Sequence, residues 1–198
     1  MIAPPFRSAW IAFGANVGDR AEAFAEALRQ LEQAAVRVEQ VSRLYETTPV
    51  VDSPGGRGLD PASSPPFLNA AVRVSTDLSP LQLLQLLLRV EDSLGRDRGA
   101  AVSDRTCDLD LLAVDDVRME TPELTLPHPR LTSRAFVLVP LCELDPLARF
   151  PSSDPEAPTV GALLARLDVP AGAVRLWNGA SASAAASASA PASLECAT

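Results

Sequence analysis

Between Glu91 and Asp110 the chain collects three arginines, Arg96, Arg98 and Arg105, and an alternating acidic pair, Asp108-Leu-Asp110. In an extended backbone, residues two apart point to the same face. Asp108 and Asp110 therefore project together, while Cys107, Leu109 and Leu111 turn toward a core. Paired carboxylates beside arginines suit a magnesium-bound polyphosphate. Carboxylate oxygens hold a hard cation, and guanidinium forks take up phosphate charge. An isolated Asp-x-Asp pattern fits a solvated strand edge equally well; the arginine cluster shifts the balance toward a phosphate site.

Elements that could position these residues are legible on either side. Ser8 to Phe13 is a short apolar run stopped by Gly14, as in a buried strand. Gly14 to Asp19 supplies turn chemistry, and lacks the Gly-Lys-Ser/Thr ending of a phosphate loop. From Arg20 to Ala35, Phe24, Ala27, Leu28 and Leu31 recur at helical spacing. Val36 to Tyr45 alternates loosely and reads as a strand. Thr47 to Pro66 is rich in Pro and Gly and reads as a long loop. Phe67 to Thr76 alternates cleanly, with Leu68, Ala70, Val72 and Val74 on the core face and Phe67, Asn69, Arg73 and Ser75 opposite. Ser79-Pro-x-Gln82 is a capping-box start to a helix that Gly95 ends. Beyond the Asp108/Asp110 strand, Phe136 to Leu141 reads as an apolar strand, Thr159 to Leu167 as a short helix and Val174 to Trp177 as a short strand.

Two amphipathic helices with one apolar stripe each need a sheet to cover. The expected fold class is α+β, a ferredoxin-like sandwich with an antiparallel sheet, helices on one face and the active site on the other. One domain, residues 1–177, is expected, followed by a disordered Ala/Ser-rich tail over 178–198.

The 198 residues carry a net charge of −8, which argues against general binding to nucleic acid or membrane surfaces. All 17 basic residues are Arg, so arginine at any one position carries less weight than usual. Three cysteines, Cys107, Cys142 and Cys196, are too scattered for a disulfide frame or zinc site. No apolar run is long enough to span a bilayer. A soluble, cytoplasmic protein is expected.

Several separated motifs together resemble 6-hydroxymethyl-7,8-dihydropterin pyrophosphokinases. They are Gly14-Ala-Asn-Val-Gly-Asp-Arg20, Ser42-Arg-Leu-Tyr-Glu-Thr-Thr-Pro49, Phe67-Leu-Asn69, Glu91 with Gly95-Arg96-Asp-Arg98, Arg105-Thr-Cys-Asp108-Leu-Asp110, and Pro127-His128-Pro-Arg with Arg134-Ala-Phe136. The resemblance runs from Trp10 to about Pro146. It implies transfer of pyrophosphate from ATP to the pterin hydroxymethyl oxygen, releasing AMP, in folate biosynthesis. It implies that Asp108 and Asp110 bind two Mg2+ ions, and that Asp110 also takes part in catalysis with Arg96, Arg98 and Arg105. Glu91, His128 and Arg134 would contact the nucleotide. Thr47, Thr48, Val50, Phe67, Asn69 and Phe136 would hold the pterin. The partners implied are small molecules only, with the chain acting as a monomer.

The sequence also departs from that family. Val102-Ser-Asp104 stands where members usually carry a Trp and a Pro before the arginine, and Leu88 replaces a frequent polar residue. These changes motivate a second reading, a catalytically weakened relative that binds nucleotide or pterin as a partner or regulator. A metal-dependent phosphodiesterase using Asp108 and Asp110 is a third, disfavoured by the acidic chain.

Overall fold

A computed structural model describes residues 6–34, 36–48, 65–95 and 105–179. Arg96, Arg98, Val50, most of the 47–66 loop and the Ala/Ser segment from 180 onward lie outside the described residues.

Strand β1 (Arg7–Ala15) leads into helix α1 (Arg20–Gln33). Asp19 caps that helix by accepting the Glu22 N–H at 3.0 Å. Ala21, Phe24, Ala27 and Leu31 form its buried stripe. Strands β2 (Arg37–Val41), β3 (Tyr45–Thr47) and β4 (Phe67–Thr76) follow, then helix α2 (Pro80–Ser93). The capping box at α2 is present: Ser79 and Gln82 each accept from the other's backbone N–H, a device worth about 1 kcal/mol. Strand β5 (Asp108–Val114) carries the acidic pair, and β6 (Met119–Glu120) and β7 (Thr125–Leu126) make a small hairpin. Helices α3 (Ala135–Leu144) and α4 (Val160–Ala165) and strand β8 (Val174–Leu176) complete the described chain.

The main sheet runs β5-β1-β4-β3-β8, with β2 also on β4, and every pairing is antiparallel. On one face Ile11, Phe13, Val72, Val74, Leu109 and Leu111 pack against Phe24 and Leu31 of α1 and Leu83 and Leu87 of α2. This is the core the two helical stripes required. Phe13 is 2% exposed, so Phe13→Ala would cost roughly 3–5 kcal/mol.

The other face divides in two. Trp10, Ala12, Ala71 and Leu112 are covered by Val137, Leu138 and Leu141 of α3 and Val160 and Leu163 of α4. Toward Gly14, Asn69 and Asp108 the same face opens into a cavity. A register shift between Trp10 and Ile11 places the sequence neighbours Leu112 and Ala113 both in the second core, with Leu111 and Val114 in the first.

Two element expectations are corrected. Phe136 to Leu141 is not a strand but lies within α3. A short apolar run has no polar alternation to separate a strand from a buried helix, and here Val137, Leu138, Leu141 and Cys142 are buried at helical spacing. The strand expected over Val36 to Tyr45 is two strands, both paired to β4. At the break, Ser42 donates its N–H to the Ala71 carbonyl, and its Oγ accepts the Ala71 N–H, each at 2.9 Å. A side chain thus supplies what the ladder would otherwise lose.

Candidate active site

The floor of the open half is set by cross-strand register. Tyr45, Asn69, Gly14 and Asp108 stand side by side on β3, β4, β1 and β5, and Ala71, Ala12 and Asp110 form the next row. Between an amide and a carboxylate β1 therefore presents only Gly14 and Ala12, which keeps the floor low. A Cβ on Gly14 would lie 3.5 Å from Asn69 Oδ1 and 4.0 Å from the Asp108 Cβ. Alanine fits there, and a larger side chain would fill the space.

Thr47, Thr48, Phe67 and Asn69 line one side of this cavity, Asp108, Asp110 and Arg105 the other, with Arg134 and Phe136 above. Asn69 is 4% exposed and its Nδ2 donates to Thr47 Oγ1 at 2.8 Å, which ties the amide to the neighbouring wall residue. Phe136 reaches the cavity because it opens α3, at the helix end nearest the site. The Arg134 guanidinium lies 5.3 Å from the centre of the Phe136 ring and 3.9 Å from Asp110 Oδ2. Arg105 pairs directly with Asp108.

Asp108 and Asp110 share a face, while Cys107, Leu109 and Leu111 are buried in the helical core. The Asp110 carboxyl is held above its ordinary pKa, chiefly by burial and next by the charge of Asp108; His128, Arg134 and Arg105 oppose the rise.

On the far side of the acidic pair is a second hollow of about 340 Å³, lined by Leu84, Leu88, Glu91, Leu124 and His128 as well as Asp108 and Asp110. The His128 pKa is lowered, mainly by burial, against the pull of Asp110. Its Nδ1 accepts the Arg130 N–H at 3.2 Å, which leaves Nε2 as the protonated nitrogen of the neutral ring. Glu91 is 1% exposed and accepts the Leu109 N–H at 2.7 Å.

Sequence reasoning missed Asn16, which is 3% exposed. Its N–H donates to the Arg105 carbonyl at 2.9 Å and its Oδ1 accepts the Arg105 N–H at 2.8 Å. The Gly14 to Arg20 turn is thus structural, and it fixes the point where the chain re-enters the site. An amide in a turn that already satisfied local turn chemistry gave no signal of a partner 89 residues away.

Solved structures share the fold. A Plasmodium falciparum HPPK-DHPS crystal structure with pterin and p-hydroxybenzoate superposes with a TM-score of 0.58 at 16% identity, covering 83% of this chain and 44% of that one. A second HPPK-DHPS structure, in complex with substrates, gives 0.62 at 13% identity, over 81% of this chain and 43% of that one. Residues 10–146 match the family described as 7,8-dihydro-6-hydroxymethylpterin-pyrophosphokinase. A 2-amino-4-hydroxy-6-hydroxymethyldihydropteridine pyrophosphokinase of Bacillus subtilis is 43% identical over 137 residues, 69% of this chain and 77% of the relative. The Porphyromonas gingivalis enzyme of that name is 35% identical over 76% of this chain and 95% of its own length. A mitochondrial folate synthesis bifunctional protein of Arabidopsis thaliana is 41% identical, but the chain spans only 23% of it.

Fold and relatives together define a diphosphotransferase with ATP as co-substrate. The chain belongs to the 7,8-dihydro-6-hydroxymethylpterin-pyrophosphokinase family, whose reaction is a step of folate biosynthesis. Among the described residues no helix is long and apolar enough to cross a membrane.

Proposed function

We propose that the chain transfers the β,γ-pyrophosphoryl group of ATP to the hydroxymethyl oxygen of 6-hydroxymethyl-7,8-dihydropterin. The alcohol oxygen attacks the β-phosphorus, the bridge to the α-phosphate breaks, AMP leaves with that electron pair, and the alcohol proton is lost. The observation that carries this reading is the position of Asp108 and Asp110 on the wall shared by two hollows. One hollow has the chemistry of a flat heterocycle site, and the other can take a nucleotide.

In the first, Phe67 and Phe136 supply aromatic faces. Asn69 offers an amide that both donates and accepts, which a carboxylate could not do. Thr47, Thr48 and Val50 complete the proposed pterin set. On the nucleotide side we assign Glu91 and His128 of the second hollow, together with Arg134, which lines the first cavity beside Asp110 on the shared wall. Neutral His128 would donate from Nε2, and Arg134, stacked on Phe136 and near Asp110, can reach phosphate oxygens. Arg105, with Arg96 and Arg98, would neutralise phosphate charge as it moves to the leaving group.

The acidic pair fits magnesium. Burial and mutual repulsion already strain the paired charges at Asp110, and no group of three or more His, Cys, Asp or Glu ligands exists among the described residues. That donor set suits an ion that keeps waters and substrate phosphates in its shell. Two Mg2+ ions held by Asp108 and Asp110 would supply charge neutralisation along the triphosphate. Covalent participation by the protein is not required, so positioning carries most of the rate. The chain is assigned as a monomer acting on small molecules.

Incubation with ATP, Mg2+ and hydroxymethyldihydropterin tests the proposal. AMP and the pterin diphosphate are the expected products. ADP in place of AMP would reject attack at the β-phosphorus.

A further inference from the structure

Arg20 opens α1, where the helix dipole disfavours a cation. Its position there has a different use. One guanidinium nitrogen, NH1, donates to Glu46 Oε1 at 3.1 Å and to the Pro66 carbonyl at 2.8 Å. Glu46 immediately precedes Thr47, and Pro66 immediately precedes Phe67. Thr47 and Phe67 are direct cross-strand partners, and both line the cavity. The same arginine therefore holds the Glu46 side chain and the Pro66 backbone, one residue outside Thr47 and Phe67 respectively.

Glu46 has a second partner. Arg175 of β8 donates to Glu46 Oε2 from NH2 at 2.6 Å and from Nε at 3.2 Å. Arg175 is also the register partner of Glu46, with Tyr45 against Leu176 and Thr47 against Val174. Strand β3 is only three residues long; β8 makes it an interior strand and satisfies its outer backbone groups. Residues 174–176 lie beyond the 10–146 span that matches the family. The Glu46 side chain is 14% exposed, Arg20 21% and Arg175 67%, so the inner pair is shielded and the outer one is open to mutation without disturbing a core.

We propose that Arg20, Glu46 and Arg175 form a clamp that sets the spacing of Thr47 and Phe67, and so governs affinity for the heterocyclic substrate without touching it. These are positioning residues. The proposal rests on the reading that Thr47, Phe67 and Asn69 hold the pterin. Glu46 supports it as the shared anion: hydrogen bonds from Arg175, then from Arg20, hold its carboxyl below the ordinary pKa, so it remains charged across the working range.

Dissociation constants for 6-hydroxymethylpterin and for ATP, measured separately by fluorescence or calorimetry, test the clamp in the full chain and its Arg20→Ala, Arg20→Lys, Arg175→Ala and Asn69→Ala variants. Arg20→Ala is expected to weaken pterin binding on the order of 10-fold, with ATP binding unchanged. Arg20→Lys should recover part of the loss, because an ammonium can still bridge two acceptors. Arg175→Ala should weaken pterin binding by a smaller factor. Normal pterin affinity in Arg20→Ala, with a loss in Asn69→Ala, overturns the clamp and leaves the pterin pocket standing. Normal affinity in both overturns the pocket reading and the clamp with it. Equal weakening of both ligands in Arg20→Ala, matched by a fall in Tm, marks a general structural role and also overturns the clamp. Should Arg20→Ala not fold, Arg175→Ala decides, and unchanged pterin affinity there overturns the proposal.

Discussion

Glu91 on α2 accepts a 2.7 Å hydrogen bond from the N–H of Leu109, the residue between Asp108 and Asp110. A helix carboxylate thus holds the strand at the middle of the acidic pair. Glu91→Ala would leave that buried donor without its acceptor, a loss of about 1–3 kcal/mol. Both aspartates would lose their fixed direction. We expect a lower Tm and at least a 10-fold fall in kcat. Glu91→Gln retains an acceptor oxygen and should keep most of the stability. Thermal unfolding and steady-state rates on the two variants check this.

Asp110 should show opposite effects on stability and turnover. Its folded pKa lies above the ordinary value, first through burial and then through Asp108. A carboxyl whose folded pKa is raised opposes folding once ionised. The penalty is fully present above the folded pKa and disappears as pH falls below the unfolded one. At pH 7 without magnesium, Asp110→Asn is therefore expected to unfold at a higher temperature than the parent. Its turnover should fall at least about 100-fold, as when one preorganised charge partner is removed. A lower Tm with normal turnover would contradict both halves.

Much of this arrangement was legible in the sequence because strand periodicity is strict. The alternation of β4 puts Asn69 on the face opposite Leu68 and Ala70, and that of β5 puts Asp108 and Asp110 opposite Leu109 and Leu111. The α2 capping box was equally legible, since its partners are three residues apart. What failed was long-range or degenerate. Phe136 to Leu141 is apolar throughout, and only burial beneath α4 and against the sheet makes it a helix. Asn16 to Arg105, Arg20 to Pro66 and Arg43 to Glu143 join residues far apart in sequence. No local pattern encodes such pairs.

Asn69 is expected to discriminate between the two substrates. Its Nδ2 is held by Thr47 Oγ1, so Asn69→Asp replaces that donor with an acceptor and puts a charge at a site 4% exposed. Asn69→Leu removes the polar edge altogether. Each should raise the KM for the pterin by about 10–100-fold, as expected when a buried polar edge is left unmatched. The KM for ATP should change little, because the nucleotide hollow does not include residue 69. Equal increases in both constants would detach Asn69 from pterin recognition.

His128 gives the site a pH dependence with a definite sign. Burial lowers its pKa below 6.5, although Asp110 pulls the other way. A histidine with a depressed folded pKa binds fewer protons folded than unfolded, so stability falls as pH drops through the unfolded value toward the folded one. Protonation would also break the bond in which Nδ1 accepts the Arg130 N–H. Thermal unfolding between about pH 7 and 5 should therefore show a steeper loss for the parent than for His128→Ala. Nδ1 acceptance further leaves Nε2–H as the only donor the neutral ring can offer to a phosphate. His128→Gln, which keeps a side-chain donor, should retain more ATP affinity than His128→Ala, measured above pH 7 where the ring is neutral. Identical ATP affinity in the two variants would separate His128 from the nucleotide and leave it a loop residue whose ring serves only the Arg130 turn.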